Sequence, residues 1–74
     1  MGTTELAVFV EVFERRSFTR AARALGLDPS AVSRRIHALE ARLGMPLFLR
    51  STRRIAATDA GAQFYDRVGP AVAA

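Results

Sequence analysis

The sequence contains no cysteine, no tryptophan and no lysine, and it has a single histidine. Without cysteine, the chain can form neither disulfide bonds nor cysteine metal sites. It also lacks a cysteine nucleophile, and no pair of carboxylates is spaced for acid–base catalysis. These absences disfavour an enzyme, and we predict no catalytic, cofactor-binding or metal-binding residues in this chain.

Long apolar runs are absent as well. None approaches the roughly 18 residues that cross a membrane, and the first residues, which include Glu5, lack the basic segment of a secretory signal. We therefore expect a cytoplasmic protein with no membrane association. The 74 residues form one small domain at most. Such a domain buries only about 60% of its unfolded surface, so it often gains stability from a partner chain.

The charge is unevenly distributed. All 11 basic residues are arginine, and all but one lie between Arg15 and Arg54, where only Asp28 and Glu40 are acidic. A basic block between acidic ends is typical of proteins that bind a polyanion such as nucleic acid. A solvated surface in an arginine-biased proteome would give the same pattern, so charge alone leaves both interpretations open.

The first predicted helix covers residues 4–15. Apolar residues at helical spacing give it a core face, formed by Leu6, Phe9, Val10 and Phe13. Val8 and Val12 lie on a second side of this helix. They either flank the core or meet a neighbouring helix near a dimer contact.

A helix-turn-helix is predicted next. Ser17 is a good N-cap for a second helix, and Gly26 is suited to end it. Asp28 and Pro29 then begin a third helix, which ends before Gly44. Two short helices joined by a turn that contains glycine are typical of a helix-turn-helix. A three-helix bundle without any DNA role has the same number of helices.

The third helix, residues 29–43, has one apolar and one polar side. Its apolar stripe comprises Val32, Ile36, Leu39 and Leu43. Ser30, Arg34 and His37 lie on the opposite side, with Ser33 at the edge. A helix with a row of hydrogen-bonding groups in front suits the major groove of DNA, so we predict a recognition helix.

Several of these side chains also have a simpler structural explanation. Arg34 and Ser33 can be plain surface residues, and His37 has no second metal ligand nearby, which leaves a phosphate contact or plain surface. Arg35 falls near the apolar stripe, where it suits a backbone phosphate or a structural ion pair better than a base. Glu40 is expected to orient a neighbouring arginine or a cap.

A β-hairpin is predicted after Pro46, with strands over residues 47–50 and 54–57. Its expected anchors on the helices are Leu47, Phe48 and Ile55. Its tip carries Arg50, Arg53 and Arg54. The planar fork of arginine suits a phosphate backbone or a narrow minor groove, so this hairpin is predicted to be a DNA-binding wing.

A fourth helix is predicted after Thr58, which caps it. Its apolar side comprises Phe64, Tyr65, Val68 and Val72. We expect Gly69-Pro70 to interrupt it, because an interior proline kinks or ends a helix. The pattern is still running at Ala74, so the sequence is expected to be the front part of a longer protein. An interaction bundle that uses the first and fourth helices is the alternative to DNA binding.

Taken together, these features resemble the N-terminal winged helix-turn-helix domain of the LysR-type transcriptional regulators. The resemblance rests on Phe9-Val10, Ser17-Phe18-Thr19-Arg20-Ala21-Ala22, Leu25-Gly26-Leu27, Ala31-Val32-Ser33-Arg34-Arg35-Ile36, Leu39-Glu40, Leu43-Gly44, Pro46-Leu47-Phe48, Arg50, Arg53-Arg54 and Thr58-Asp59-Ala60-Gly61. It implies a mainly α fold in which a three-helix core and a two-stranded wing (residues 1–58) are followed by a linker and dimerisation helix (residues 59–74).

The resemblance also implies sequence-specific binding of double-stranded DNA by a bacterial transcription regulator. Residues 29–43 would enter the major groove and the arginines of residues 50–54 would meet the minor groove or backbone. Such regulators act as homodimers on partly palindromic sites through the linker helix, and commonly form tetramers at full length. The effector-binding domain, where a small molecule binds, is absent from this chain.

Individual contacts follow from the same resemblance. Ser33 and Arg34 match positions that face the major groove, and Arg53 matches a wing arginine that reaches the minor groove, with Arg50 close by. Ser17 and Thr19 match the start of the second helix, which lies against a phosphate.

Two positions depart from the family pattern. Many members have Ser-Gln-Pro where this chain has Asp28-Pro29-Ser30, and that glutamine is a frequent base contact. Proline cannot donate such a hydrogen bond, so Ser30 is expected to take part of the role. Pro70 departs from a linker helix that is usually uninterrupted.

Overall fold

The fold, described by a computed structural model over residues 3–50 and 55–73, consists of helices and one small hairpin. The elements in order are α1 (Thr3–Arg15), α2 (Phe18–Leu25), α3 (Pro29–Leu43), β1 (Phe48–Arg50), β2 (Ile55–Ala57) and α4 (Asp59–Ala73). This is the predicted winged helix-turn-helix followed by a C-terminal helix. Within the described ranges, no helix combines the length and apolarity needed to cross a membrane.

The helix ends lie where the capping residues predict them. The Ser17 hydroxyl accepts the backbone N–H of Arg20 at 3.1 Å, which caps α2. Gly26 and Gly44 end α2 and α3 in the left-handed conformation, at φ 70° and 72°. Asp28 stands at the N-cap of α3, but its carboxylate accepts no capping hydrogen bond within the described chain. Pro29, at the first helical position, is already fixed in a helical φ.

The core lies between α1, the helix-turn-helix and the start of the wing. Its buried residues are Val8, Phe9, Val10, Val12, Ala21, Ala22, Val32, Ile36, Leu39, Leu47 and Phe48. Phe9 is central: the centroid of its ring lies 5.5 Å from that of Phe48 and 5.1 Å from that of Phe64. Val8 and Val12 are fully buried, which confirms that they are part of the core, and the expectation that a dimer contact lies near them stays a prediction.

The two strands pair in an antiparallel ladder, in which Phe48 faces Ala57 and Arg50 faces Ile55. The first strand starts one residue later than predicted. Leu47 donates its N–H to the Glu40 carboxylate and accepts the N–H of Thr58 on its carbonyl, so its backbone groups are used outside the ladder. The predicted anchors are confirmed: Leu47 and Phe48 are buried and Ile55 packs against the core.

Helix α4 begins as predicted, because the Thr58 hydroxyl accepts the N–H of Gly61 at 2.9 Å. The predicted interruption at Gly69-Pro70 is wrong, since the helix runs through both residues to Ala73. Proline lacks the N–H that residue 70 would otherwise donate to the carbonyl of Asp66, and Asp66 is exposed at the surface. Val68 and Val72, on either side of Pro70, pack against the core and hold both parts of the helix in line.

Candidate nucleic-acid interface

Helix α3 presents the polar row that its sequence predicts. Ser30, Arg34 and His37 are exposed, and Ser33 is half-buried at the edge. The opposite stripe is fully buried: Val32, Ile36 and Leu39 have 0% exposure. The apolar contacts of this stripe fix the rotation of α3 about its axis, so the polar row is held outward on a rigid element.

Arg35 lies between the two sides of α3. It is half-buried and lines an open depression together with Glu5 of α1. Glu5 itself is paired with Arg42, which joins the far end of α3 to the start of α1. Arg35 takes part in no ion pair among the described residues, so its predicted phosphate contact stays a prediction.

The start of α2 places further polar groups beside α3. Ser17 is half-buried and its oxygen accepts the capping N–H, which leaves its own O–H available as a donor. Thr19 is exposed. Arg20 and Arg23 are also exposed and form no ion pair within the described chain, although neither was among the predicted contacts. The three-residue spacing between them is enough to predict that both lie on the same face of α2.

Two predicted DNA contacts, Arg50 and His37, contact each other in the structure. An Nη of Arg50 lies against Nε2 of the His37 ring. The guanidinium also forms an ion pair with Glu40 at 3.3 Å and lies 5.0 Å from the centre of the Phe18 ring. The side chain of Arg50 is therefore only 26% exposed, and its charge is partly balanced within the domain. No local sequence signal links positions 13 residues apart.

Glu40 is the acidic residue around which these contacts converge. One carboxylate oxygen accepts the N–H groups of Leu47 and Phe48 at 2.7 and 3.2 Å, and the other accepts Arg50. The expectation that Glu40 orients a neighbouring arginine or a cap is confirmed for the arginine, Arg50, and the remaining bonds go to the start of the wing and not to a helix cap. It also connects α3 to the wing, which the sequence did not indicate.

The remaining wing arginines, Arg53 and Arg54, lie outside the described residues. Their predicted contacts with the minor groove or backbone stay predictions. The described strands bring Arg50 to the same side of the domain as the exposed row of α3, since Arg50 contacts His37.

The apolar side of α4 is used partly within the chain. The ring of Tyr65 stacks on Phe13 at 4.1 Å, and its hydroxyl donates a hydrogen bond to Glu14. That hydrogen bond raises the pKa of Tyr65 above its ordinary value of 10.0. Phe64, Val68 and Val72 are half-buried and pack against the core, so the predicted dimerisation residues have both internal contacts and exposed surface.

Comparison with known proteins identifies this arrangement. Residues 3–62 match the family model described as bacterial regulatory helix-turn-helix protein, lysR family. The chain is 49% identical over 66 residues to the HTH-type transcriptional regulator CrgA of Neisseria meningitidis. That match covers 89% of this chain and 22% of CrgA, so the chain spans about a fifth of the length of that relative.

Solved structures give the same result. The chain is similar to the BenM DNA-binding domain in its complex with catB site 1 DNA, with a TM-score of 0.93 and 36% identity over 99% of this chain and 82% of that chain. It is also similar to the CbnR DNA-binding domain in its DNA complex, with a TM-score of 0.91 and 33% identity over 97% and 83% of the two chains. The chain therefore belongs to the LysR family of bacterial helix-turn-helix regulators, as a DNA-binding module and not an enzyme.

Proposed function

We propose that this chain binds double-stranded DNA sequence-specifically, with α3 in the major groove and the wing at the adjacent minor groove or backbone. The observation that carries the proposal is the exposed row of Ser30, Arg34 and His37 on a helix whose opposite stripe is fully buried. The similar BenM and CbnR domains, which were crystallised with DNA, support it. Ser17, Thr19 and Arg35 are assigned to backbone phosphates.

Within the row, Arg34 is assigned the main base contact, because its planar fork matches O6 and N7 of guanine. Ser33 contacts a neighbouring base from the edge of the helix. Pro29 has no N–H to donate, so Ser30 is the first residue of α3 that can bond a base or phosphate. Specificity is therefore concentrated in Ser33, Arg34 and the wing.

Selection from a pool of random duplexes tests the proposed function. We expect repeated rounds with the 74-residue chain to enrich a partly palindromic sequence, because the chain is proposed to act as a homodimer. An unchanged pool after selection at low salt would contradict DNA binding. Recovery of RNA in preference to duplex DNA from a mixed pool would also contradict it.

The wing arginine Arg53 provides a test of the wing contact. Arg53→Ala is expected to reduce the slope of log K against log salt by about one, because each phosphate contact releases condensed counterions. Binding titrations at several salt concentrations measure the slope. Arg67→Ala is the matched control, since Arg67 is exposed on α4 and is assigned no DNA contact. Equal slopes for Arg53→Ala and the unmodified chain would show that Arg53 does not contact a phosphate.

Helix α4 is proposed to hold two copies together through Phe64, Tyr65, Val68 and Val72. Sedimentation of the chain with the selected duplex is expected to give two copies per duplex. Val72→Glu should shift this towards one copy, because a charge at a half-buried apolar position is costly to bury. Ala71→Glu adds the same charge at an exposed neighbour and should retain the dimer. A single copy per duplex for the unmodified chain at high concentration would refute the dimer.

The similar regulator CrgA is much longer than this chain, which covers 22% of its length. We infer that residues 1–58 form the DNA-binding domain, that residues 59–74 form the linker helix, and that an effector domain binding a small molecule lies beyond them. The full-length protein is proposed to act in the cytoplasm and to assemble as a tetramer of two such dimers.

A further inference from the structure

We propose that Glu40 is a positioning residue for DNA binding, because its carboxylate sets the wing against the recognition helix. This role rests on the proposed function, in which α3 and the wing contact one duplex. Glu40 lies near the end of α3, and its side chain is only 14% exposed. It is therefore well placed to join the two elements and poorly placed to contact DNA itself.

The contacts of Glu40 fix both ends of this connection. Its backbone carbonyl accepts the N–H of Gly44 at 2.8 Å, where α3 ends. One carboxylate oxygen accepts the N–H groups of Leu47 and Phe48, at 2.7 and 3.2 Å, at the start of the wing. The other oxygen accepts a hydrogen bond of 3.3 Å from the guanidinium of Arg50, at the end of β1. Helix end and strand are thus held by one residue.

Holding β1 orients the whole described part of the wing. The two strands pair from Phe48 with Ala57 to Arg50 with Ile55, so β2 follows any movement of β1. Arg50 extends the connection to α2, since its guanidinium lies over the ring of Phe18. The Glu40 carboxylate therefore contributes to the distance and angle between the wing and α3, together with the buried side chains of Leu47 and Phe48.

This arrangement requires a carboxylate in particular. Three N–H donors converge on the side chain, and one of them is cationic, so both oxygens are needed as acceptors. Glutamine has one acceptor oxygen, which can accept the N–H groups of Leu47 and Phe48 as one carboxylate oxygen does, so its NH₂ group would face the guanidinium of Arg50. Two donors cannot bond each other, so the Arg50 end of the wing is expected to turn away from α3 and bond water instead.

Other contacts keep the hairpin attached when the carboxylate is lost. Leu47 and Phe48 are 0% and 4% exposed in the core. Thr58 donates its N–H to the Leu47 carbonyl at 3.0 Å and its hydroxyl to the Pro46 carbonyl at 2.8 Å. None of these contacts involves Glu40. A variant that lacks the carboxylate is therefore expected to fold with its wing attached but wrongly oriented.

Glu40→Gln, compared with Glu11→Gln, tests this role. Glu11 also pairs with an arginine, Arg15 at 2.6 Å, but both residues lie on α1, so this ion pair does not join two elements. On the duplex selected with the unmodified chain, Glu40→Gln is expected to bind about tenfold more weakly, equivalent to about 1.4 kcal/mol. Glu11→Gln should stay within about twofold, as expected for a surface ion pair. Far-UV circular dichroism should be the same for both variants.

A repeated selection gives the readout that separates positioning from simple destabilisation. With Glu40→Gln, base preference is expected to persist at the positions that Arg34→Ala relaxes and to disappear at the positions that flank them, where the wing is proposed to meet the minor groove. A merely structural role would reduce binding to every sequence in proportion to the folded fraction and would leave the preferences unchanged. That uniform loss, or a folded variant that binds like Glu11→Gln, would overturn the proposal.

Glu40→Asp keeps the test decisive if the glutamine variant unfolds at the assay temperature. It retains the charge but is one methylene shorter, so the same selective loss at the flanking positions is expected, and unaltered preferences would overturn the role of Glu40. Failure of the unmodified chain to bind any duplex is a different result. It would overturn the proposed function, and the positioning role with it.

Discussion

Replacing Arg34 with alanine is expected to weaken binding to the selected duplex by about 1–3 kcal/mol and to relax the base preference at one position of each half-site. The reason is geometric. Arg34 is exposed at the centre of the polar row, and the buried stripe behind it prevents α3 from rotating to offer another side chain. Binding titrations on the selected and scrambled duplexes measure both effects.

Arg34→Lys is the control for charge alone. Lysine keeps the positive charge but lacks the planar fork that bonds guanine in two places. Arg34→Lys should therefore bind the scrambled duplex as the unmodified chain does, and should recover only part of the affinity for the selected duplex that Arg34→Ala loses. Equal losses for Arg34→Ala on selected and scrambled duplexes would make Arg34 a phosphate contact. The base specificity would then have to come from Ser33, Ser30 or the wing.

Replacing Gly61 with alanine is expected to destabilise the fold by about 1–3 kcal/mol, as for overpacking of a tight contact. A Cβ at this position would lie 2.2 Å from the carbonyl oxygen of Leu47. That carbonyl cannot simply move, because it accepts the N–H of Thr58 at 3.0 Å. Thermal unfolding followed by circular dichroism should show a fall in Tm of roughly 4–8 °C per kcal/mol.

Gly69→Ala is the matched control on the same helix. Both substitutions gain up to about 1 kcal/mol in helix propensity, so the difference between them reports the contact. A Cβ at Gly69 would meet the ring of Tyr65 at 3.2 Å, and a side-chain ring can shift where a hydrogen-bonded carbonyl cannot. Gly69→Ala is therefore expected to remain within about 1 kcal/mol of the unmodified chain. Equal stabilities for the two variants would show that α4 does not pass as close to Leu47 as described.

Features that depend on neighbouring residues were predictable from the sequence. The ends of α2 follow from Ser17 and Gly26, and the rotation of α3 follows from the spacing of its apolar residues. Each of these signals acts over one or two turns of helix. Pro70 is the exception: it predicts a kink or an end of the helix, but α4 continues to Ala73 because Val68 and Val72 pack against the core on either side of it.

Contacts between distant residues were not predictable. Arg50 was expected to point at DNA, and nothing in its local sequence indicates Glu40, His37 or the Phe18 ring as partners. The same applies to Tyr65, whose stacking on Phe13 joins α4 to α1. The spacing of apolar and charged residues predicts which face of a helix or strand a side chain occupies. Its contact partner depends on how elements that are far apart in the chain pack together.

Sequence-specific DNA binding is tested by a salt titration of binding to the selected duplex beside a scrambled duplex of equal length and composition. We expect tighter binding to the selected duplex at every salt concentration, because base contacts add to the phosphate contacts. Affinity for both duplexes should fall as salt rises, because phosphate contacts release counterions. Equal affinity for the two duplexes, or affinity that does not change with salt, would contradict sequence-specific DNA binding.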